Sequence, residues 1–475
     1  MTQATAEQGM RAGRLLPAAG LSVPRGLLAV FLISLLIPVS FELAGIRLSP
    51  TRLLLLASIV PLVALLFGGR LGRVTAVDGL ILFHVLWIFV ALLIVHGGRY
   101  VQTAGITSVE LLGGYLAGRA LVRRPEAYRA MFVILLGALL VLLPVAAYES
   151  VTGKMVIPDL LRPVFDTPVR AGSAYGRMGL ERVYGVFDHP ILWGLFCALL
   201  LANFVLLFQR RRALLAVAVG ASLYGTFVSL SSAPLLACLL QVGLLGWGWM
   251  TGGRWKLLFA GAVLAYVAVD LASNRTPVTI LIETLTFNSF TGWVRLAIFD
   301  AGWAAVMSSP VWGIGFNDWP RPAWVTSSVD NFWLLTAMRY GLVGAGSLTL
   351  AVLLHGRAII RAPLEDEALR TIRRAYLISG VALIFVLMTV HVWDSIFIFV
   401  MFLFGAGVWI YAEPQAAPPA RPPARPSASA SGPAPDVPAA AERSVHTRFA
   451  RTHRRDGTGA AAPRRRPTVS SGRVR

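Results

Sequence analysis

Apolar residues in this chain fall in long blocks rather than in short alternation. From residue 27 to residue 411 the blocks run to roughly 17–22 residues, the length at which an α-helix crosses a hydrocarbon layer ~30 Å thick. The pattern predicts twelve such helices, over 27–45, 51–68, 78–96, 103–120, 128–148, 190–208, 213–230, 234–250, 256–271, 331–355, 374–391 and 394–411. The span 331–355 is long enough to be tilted or to begin outside the bilayer. The last two spans lie so close together that they predict a tight hairpin. The expected fold is all-α: a polytopic integral membrane protein of about 12 transmembrane helices.

The basic residues give the blocks a direction, because Lys and Arg near helix ends are retained on the cytoplasmic side. Arg11, Arg14 and Arg25 precede the first span, Arg70 and Arg73 follow the second, and Arg119, Arg123, Arg124 and Arg129 follow the fourth. Arg210, Arg211 and Arg212 follow the sixth, Arg254 and Lys256 the eighth, and a basic cluster over 357–374 the tenth. Alternate loops agree, so both termini are expected in the cytoplasm and two long loops, 149–189 and 272–330, on the periplasmic face. The first span has basic residues before its apolar stretch, but no small-residue cleavage site closely follows Pro38, so it reads as a retained anchor.

Composition supports the class and excludes others. With 56% hydrophobic and 14% charged residues and a mean hydropathy of +0.69, the chain is too apolar for a soluble globular protein. Its formal charge of +20 owes much to the end of the chain, where twelve arginines stand against three acids after Glu413. That segment is rich in Pro, Ala and Arg and cannot bury a core, so 413–475 is expected to be a disordered cytoplasmic tail. Such a tail is drawn to anionic membrane lipids; no folded nucleic-acid module accompanies it, and nucleic acid is not an expected partner. The organisation is then a cytoplasmic segment 1–24, a membrane domain 25–412 and the tail. Cys197 and Cys238 both fall inside spans, where packing is their expected role. No metal-ligand spacing occurs, so neither metal nor cofactor is expected.

A transporter would be expected to keep polar groups at mid-bilayer within repeated halves, and no such repeat is visible. Glu110 in the fourth span needs a partner, which a helix–helix hydrogen bond would supply as well as a catalytic role; His84 reads as structural. The outer loops differ, because they carry arginine on the side from which it is normally excluded. The first holds Lys154, Arg162, Arg170, Arg177 and Arg182, and ends in Arg182-Val183-Tyr184-Gly185-Val186-Phe187-Asp188-His189-Pro190. Pro190 suits the first turn of the following helix, and Gly185 permits a sharp approach of the backbone. The second loop predicts an interfacial helix over 292–307, stopped by Ser308-Ser309-Pro310 and followed by a Gly313-Ile314-Gly315 turn. Arg295, Phe299 and Trp303 lie on one stripe of it. Membrane anchoring and substrate binding suit the helix equally, and binding is favoured for Arg295. Trp319, Pro320 and Pro322 follow, then Ser328-Val329-Asp330-Asn331 at the mouth of the tenth span.

These motifs, in this order, resemble those of the bacterial O-antigen ligase and polysaccharide polymerase superfamily, over roughly residues 27–411. The stretch from Arg182 to Pro190 is similar to the family's arginine, glycine, aromatic and His-Pro signature. Arg295, Trp303 and Pro310-Val311-Trp312-Gly313-Ile314-Gly315 resemble its second loop, and Asn331-Phe332-Trp333-Leu334 with Gly341-Leu342-Val343-Gly344 its entry to the next helix. Three departures stand out. Asp330 occupies a position where relatives commonly have His, Ser231-Ser232-Ala233-Pro234 lacks a family Arg, and Arg339 stands where an acid is usual.

The resemblance implies a glycosyltransferase of the bacterial inner membrane that moves a glycan from a polyprenyl diphosphate donor to an acceptor hydroxyl on the periplasmic face, without nucleotide or metal. The leaving diphosphate would be gripped by Arg182 and Arg295, whose forked donors match phosphate oxygens, with Arg170 and Arg177 as further substrate contacts. Asp330 would be the base and His189 its rival. Asn331 would position the acceptor or cap its helix. His391, with Asp394, would face the same cavity or pair with that carboxylate. The acceptor is a growing exopolysaccharide or O-antigen chain in a polymerase, which the departure at Asp330 favours, or the lipid A core in a ligase. A lipid-linked glycan flippase or polysaccharide transporter is the remaining alternative; it predicts charges along a mid-membrane path.

Overall fold

The computed structural model describes residues 25–43, 45–170, 176–274, 280 and 289–413. The segment 1–24, the tail from Pro414 onward and parts of both long loops lie outside the described residues. Eight helices among the described residues are long and apolar enough to cross a membrane, so the chain is a multi-pass membrane protein. In order, the first elements are α1 (Arg25–Ser34), β1 (Phe41–Leu43), β2 (Ile46–Leu48), α2 (Pro50–Phe67) and α3 (Ala76–His96). There follow α4 (Val101–Ser108), a π-helical turn (Val109–Gly113), α5 (Gly114–Leu121), α6 (Pro125–Thr152), α7 (Val156–Leu161) and α8 (Pro190–Phe208). The remainder comprises α9 (Arg212–Val228), α10 (Ser232–Thr251), α11 (Trp255–Ala272), α12 (Ser289–Ser308), α13 (Phe332–Arg361), α14 (Glu367–Leu387), α15 (Asp394–Gly405) and α16 (Trp409–Ala412).

Two departures from the apolar pattern change the fold near the site. The first span ends early: α1 stops at Ser34, and an antiparallel hairpin pairs Phe41 with Leu48 and Leu43 with Ile46, so the fold is not wholly helical. Pro38 disfavours a helical conformation at the residue before it and lacks a donor of its own, which ends the helix although apolar residues continue. The tight C-terminal hairpin is also replaced. α14 ends at Leu387 and α15 begins at Asp394, leaving 388–393 as a connection that carries His391 and Trp393.

Successive long helices run alternately toward and away from one end of the bundle. At that end Ser34 Oγ lies 3.2 Å from Thr51 Oγ1, joining the end of α1 to the start of α2. At the opposite end, Asp78 in the first turn of α3 forms a capping box with Thr75. The same carboxylate accepts from Tyr115 Oη at 2.6 Å and pairs with Arg119, so the buried charge is compensated rather than left alone. Arg123 pairs with Glu413 at 2.6 Å beside it. The helix α8 lies at the centre and is buried on nearly every side. Its polar Asn203 accepts from Tyr128 at 2.6 Å and donates to Ser379 at 3.1 Å, tying α6, α8 and α14 together where lipid could not satisfy those groups. On the neighbouring pair, Gly114 and Gly118 of α5 meet α15 with no room for side chains: a Cβ on Gly118 would come within 2.8 Å of Ala406 N. Small residues four apart permit that approach.

The second long loop is latched into a break in α13. Gly341 has φ +69° and ψ −179° inside that helix, a conformation open mainly to glycine. The freed backbone groups bond to the loop instead: Leu342 N donates to Pro310 O and Ile314 N donates to Met338 O, both at 2.7 Å. A Cβ on Gly341 would approach Pro310 O to 2.9 Å and Val311 more closely still. Gly341→Ala is expected to cost about 1–3 kcal/mol or more through strain and overlap, read as a lower unfolding midpoint of the purified protein in detergent. Gly346→Ala in the same helix, where nothing lies within 4 Å of the added methyl, should leave the midpoint unchanged or raise it. Equal effects of the two would contradict the latch.

Candidate functional site

The first loop is shaped by one buried carboxylate. Glu149, in the last turn of α6, is fully buried. Its Oε1 accepts from Tyr184 N at 2.9 Å and its Oε2 from Gly185 N at 3.0 Å, while Arg170 pairs with it at 3.1 Å. Gly185 has φ +63°, and a Cβ there would meet the indole of Trp193; the backbone is thus pressed against α8. Val183 N donates to Val228 O at 3.0 Å, fixing the other side. The result aims Arg182 across the end of α9, where its Nη2 donates to Ser231 Oγ at 2.9 Å and its Nε to Ser229 O at 3.4 Å. Arg177 donates to Leu230 O at 2.8 Å from the same side. His189 is the N-cap of α8, its Nδ1 accepting from Ile191 N at 3.1 Å.

Three further segments complete the site. The helix α12 brings Arg295, the approach to α13 brings Ser328 and Asp330, and 388–393 brings His391 and Trp393. Six residues that sequence singled out line one cavity of about 320 Å³: Arg177, Arg182, His189, Arg295, Asp330 and His391. Two others do not. Arg170 is bound to Glu149, to Glu181 at 3.2 Å and to the carbonyl of Arg182 at 3.0 Å, and its guanidinium lies over the Tyr184 ring, so it braces the loop. Asn331 caps α13, accepting from Leu334 N at 3.0 Å. Asp394, the alternative partner for His391, pairs instead with Arg52.

The cavity is rich in positive charge. It holds three guanidinium groups and one carboxylate, and no carboxylate pairs with Arg182 among the described residues. Burial, with Arg177 and Arg170 nearby, lowers the pKa of Arg182 to about 10; at neutral pH it remains a cation. Burial also lowers that of Arg295, against the attraction of Asp330, and its buried Nε has no hydrogen-bond partner. Burial raises the pKa of Asp330, opposed by Arg295 and by the Ser328 hydroxyl. The imidazoles do not add to the charge at neutral pH. Burial and Arg182 hold His189 down to about 4, and burial and Arg339 hold His391 down to about 3. Because His189 Nδ1 accepts a backbone N–H, its own proton belongs on Nε2, which makes it a donor rather than a base. The arrangement can therefore bind an anion with multiple oxygens while keeping one carboxylate beside it.

Sequence reasoning passed over Glu149, Thr389 and Trp393, and quoted Ser231 and Ser328 only within motifs, without a role of their own. Only Glu149 carries a signal: a carboxylate in the last apolar turn of a span needs a partner, as Glu110 does. In comparisons with known proteins, no family model matches the chain and no curated protein matches it. Its function has to be read from the cavity.

Removing the brace should release the loop. Glu149→Ala leaves two backbone N–H groups without their acceptor, at an expected cost of about 1–3 kcal/mol each, and takes one of its two carboxylates from Arg170. The check is a lower unfolding midpoint together with faster proteolysis within 154–182. Wild-type stability and protection in this variant would contradict the bracing role.

Proposed function

We propose that this chain is a membrane glycosyltransferase of the O-antigen polymerase and ligase type, acting on a glycan carried by a polyprenyl diphosphate. One observation carries the reading: guanidinium groups from two loops far apart in sequence share a cavity at one end of the helix bundle, with Asp330 the one carboxylate among the described residues that line it. In this reading the helices make twelve passes across a bacterial inner membrane, and the cavity opens on the periplasmic face. The alternation of basic loops supports that orientation.

The chemistry follows from the charges. As the acceptor hydroxyl oxygen bonds to the anomeric carbon of the donor glycan, the bond from that carbon to the diphosphate oxygen breaks, and the electron pair leaves with the polyprenyl diphosphate. Arg182 and Arg295 stabilise that developing charge with donors already fixed in place. The Nε2–H of His189 supplies a further donor. The hydroxyl proton passes to Asp330, the carboxylate that lines the cavity. The partners are the lipid-linked oligosaccharide, a glycan or lipid-core acceptor, and membrane lipids. Growth of a polysaccharide chain is the favoured outcome, because Asp330 replaces the His common in relatives; transfer to lipid A core is the alternative. A flippase or transporter reading has less support, since the cations lining this cavity lie at one end of the bundle rather than along a mid-membrane path.

Reconstituted with a polyprenyl diphosphate oligosaccharide, Arg182→Ala and Arg295→Ala should each lower kcat/KM by about 100-fold or more, with expression and unfolding midpoint retained. Full activity in both would refute the assignment. Because burial raises the pKa of Asp330, its basic form is lost as pH falls through a value above the ordinary one for Asp. The kcat/KM profile should therefore decline on the acid side. Asp330→Asn should abolish this limb along with most of the activity; a limb that persists unchanged would exclude Asp330 as the base.

A further inference from the structure

A second cavity, of about 200 Å³, adjoins the first and shares two of its walls, His391 and Trp393. Its character is different. Two guanidinium groups, Arg52 and Arg339, line it with two carboxylates, Glu110 and Asp394, whereas the first cavity has three against one. Arg52 is already engaged by both carboxylates, donating to Glu110 Oε1 at 2.7 Å and pairing with Asp394. Glu110 is presented on the π-helical turn Val109–Gly113, a feature that recurs where a helix re-aims a side chain for function. Arg339 lies over the Phe316 ring at 4.7 Å, with no carboxylate partner among the described residues. Flat aromatic surfaces complete the enclosure: Phe332 stacks on His391, and His391 stacks on Trp393, with ring centroids 6.2 and 5.9 Å apart.

Balanced charges, donors and acceptors on opposite walls and aromatic faces together match a neutral sugar ring, whose hydroxyls both donate and accept and whose C–H faces pack on aromatic groups. The volume has room for one monosaccharide unit and not for a chain. We propose that this second cavity is the acceptor subsite, holding the terminal neutral sugar of the acceptor glycan so that its hydroxyl reaches the donor past the His391–Trp393 partition. This inference rests on the transfer reading above. Geometry supports the handover, because Asp330 borders the first cavity and Phe332, two residues on, borders the second. Arg339, which stands where relatives carry an acid, becomes a hydrogen-bond donor to acceptor hydroxyls.

The test uses the purified full chain with neutral methyl glycosides (glucoside, galactoside and mannoside), with methyl glucuronide as the acidic comparator, followed by saturation-transfer NMR. Thr107→Trp would fill the second cavity, and Arg339→Gln would remove its guanidinium group while conserving most of the side chain. We expect at least one neutral glycoside to bind, each variant to weaken it by about tenfold or more, and Arg182→Ala to leave it within about twofold. In turnover assays the same two variants should raise the acceptor KM by a similar factor without changing the donor KM. The proposal is overturned if no neutral glycoside binds, if the glucuronide is preferred, or if the variants change the donor KM alone. A protein that turns over the lipid-linked donor yet binds no glycoside refutes this subsite alone. One that binds glycosides through Thr107 and Arg339 yet never turns over the donor refutes the transfer reading alone.

Discussion

Arg182 and Arg295 share a half-enclosed cavity with the carboxylate of Asp330, and among the described residues neither is closed into a tight carboxylate pair. Desolvating a charge is costly, and the usual remedy is an opposite charge in contact. Here the remedy is partial. Arg182 is held by a hydroxyl and a carbonyl, Ser231 Oγ and Ser229 O, which position the fork and leave its charge in place. Arg295 keeps an unpartnered buried Nε. Elsewhere in the molecule the same side chain has a carboxylate in contact: Arg119 has Asp78, Arg52 has Glu110 and Asp394, and Arg170 has Glu149 and Glu181. The contrast separates cations that hold the structure together from those available to a ligand.

The supporting structure follows from that constraint. An uncompensated cation pushes its neighbours apart, so the loops bearing Arg182 and Arg295 must be anchored by other means. The first is fixed through the Glu149 carboxylate and the close contact of Gly185 with Trp193; the second through backbone bonds into the break at Gly341. Both anchors lie on membrane helices rather than within the loops, so the rigidity of the bundle is passed to the cavity. Trp393, on the short connection between the last long helices, then divides a charge-rich cavity from a balanced one. Binding a diphosphate on one side of such a wall and a sugar on the other would bring the two reacting atoms together without mixing their environments.

Much of the fold is legible in the sequence because the bilayer enforces a length on every span. What the lengths do not carry is where polar caps interrupt an apolar run. Pro38 ends the first helix early, and the helix predicted to reach residue 391 stops at Leu387, whereas the last helix starts at Asp394 as hydropathy suggests. The arginines of the cavity are legible for a related reason: on the face assigned by the alternation of basic loops, they are exceptions. Their convergence is not legible, since Glu149 to Gly185 and Pro310 to Leu342 are contacts between segments that sequence leaves unconnected. Nor can a row of arginines reveal which of them is already paired. Arg170 and Arg182 look equivalent in the chain and differ only in the carboxylates that the fold brings to the first.

Under the proposed function, this cavity prefers a lipid-linked diphosphate to the matching monophosphate. The most direct measurement of that preference is the affinity of the full chain in lipid nanodiscs for a polyprenyl diphosphate compared with the matching polyprenyl monophosphate, for the wild type and for the Arg182→Ala, Arg295→Ala double variant. The same lipid tail in both ligands cancels the apolar contribution. The account predicts that the diphosphate binds about tenfold or more tightly, and that this difference collapses in the double variant. Equal affinity for the two lipids, or a preference that survives loss of both arginines, would contradict it.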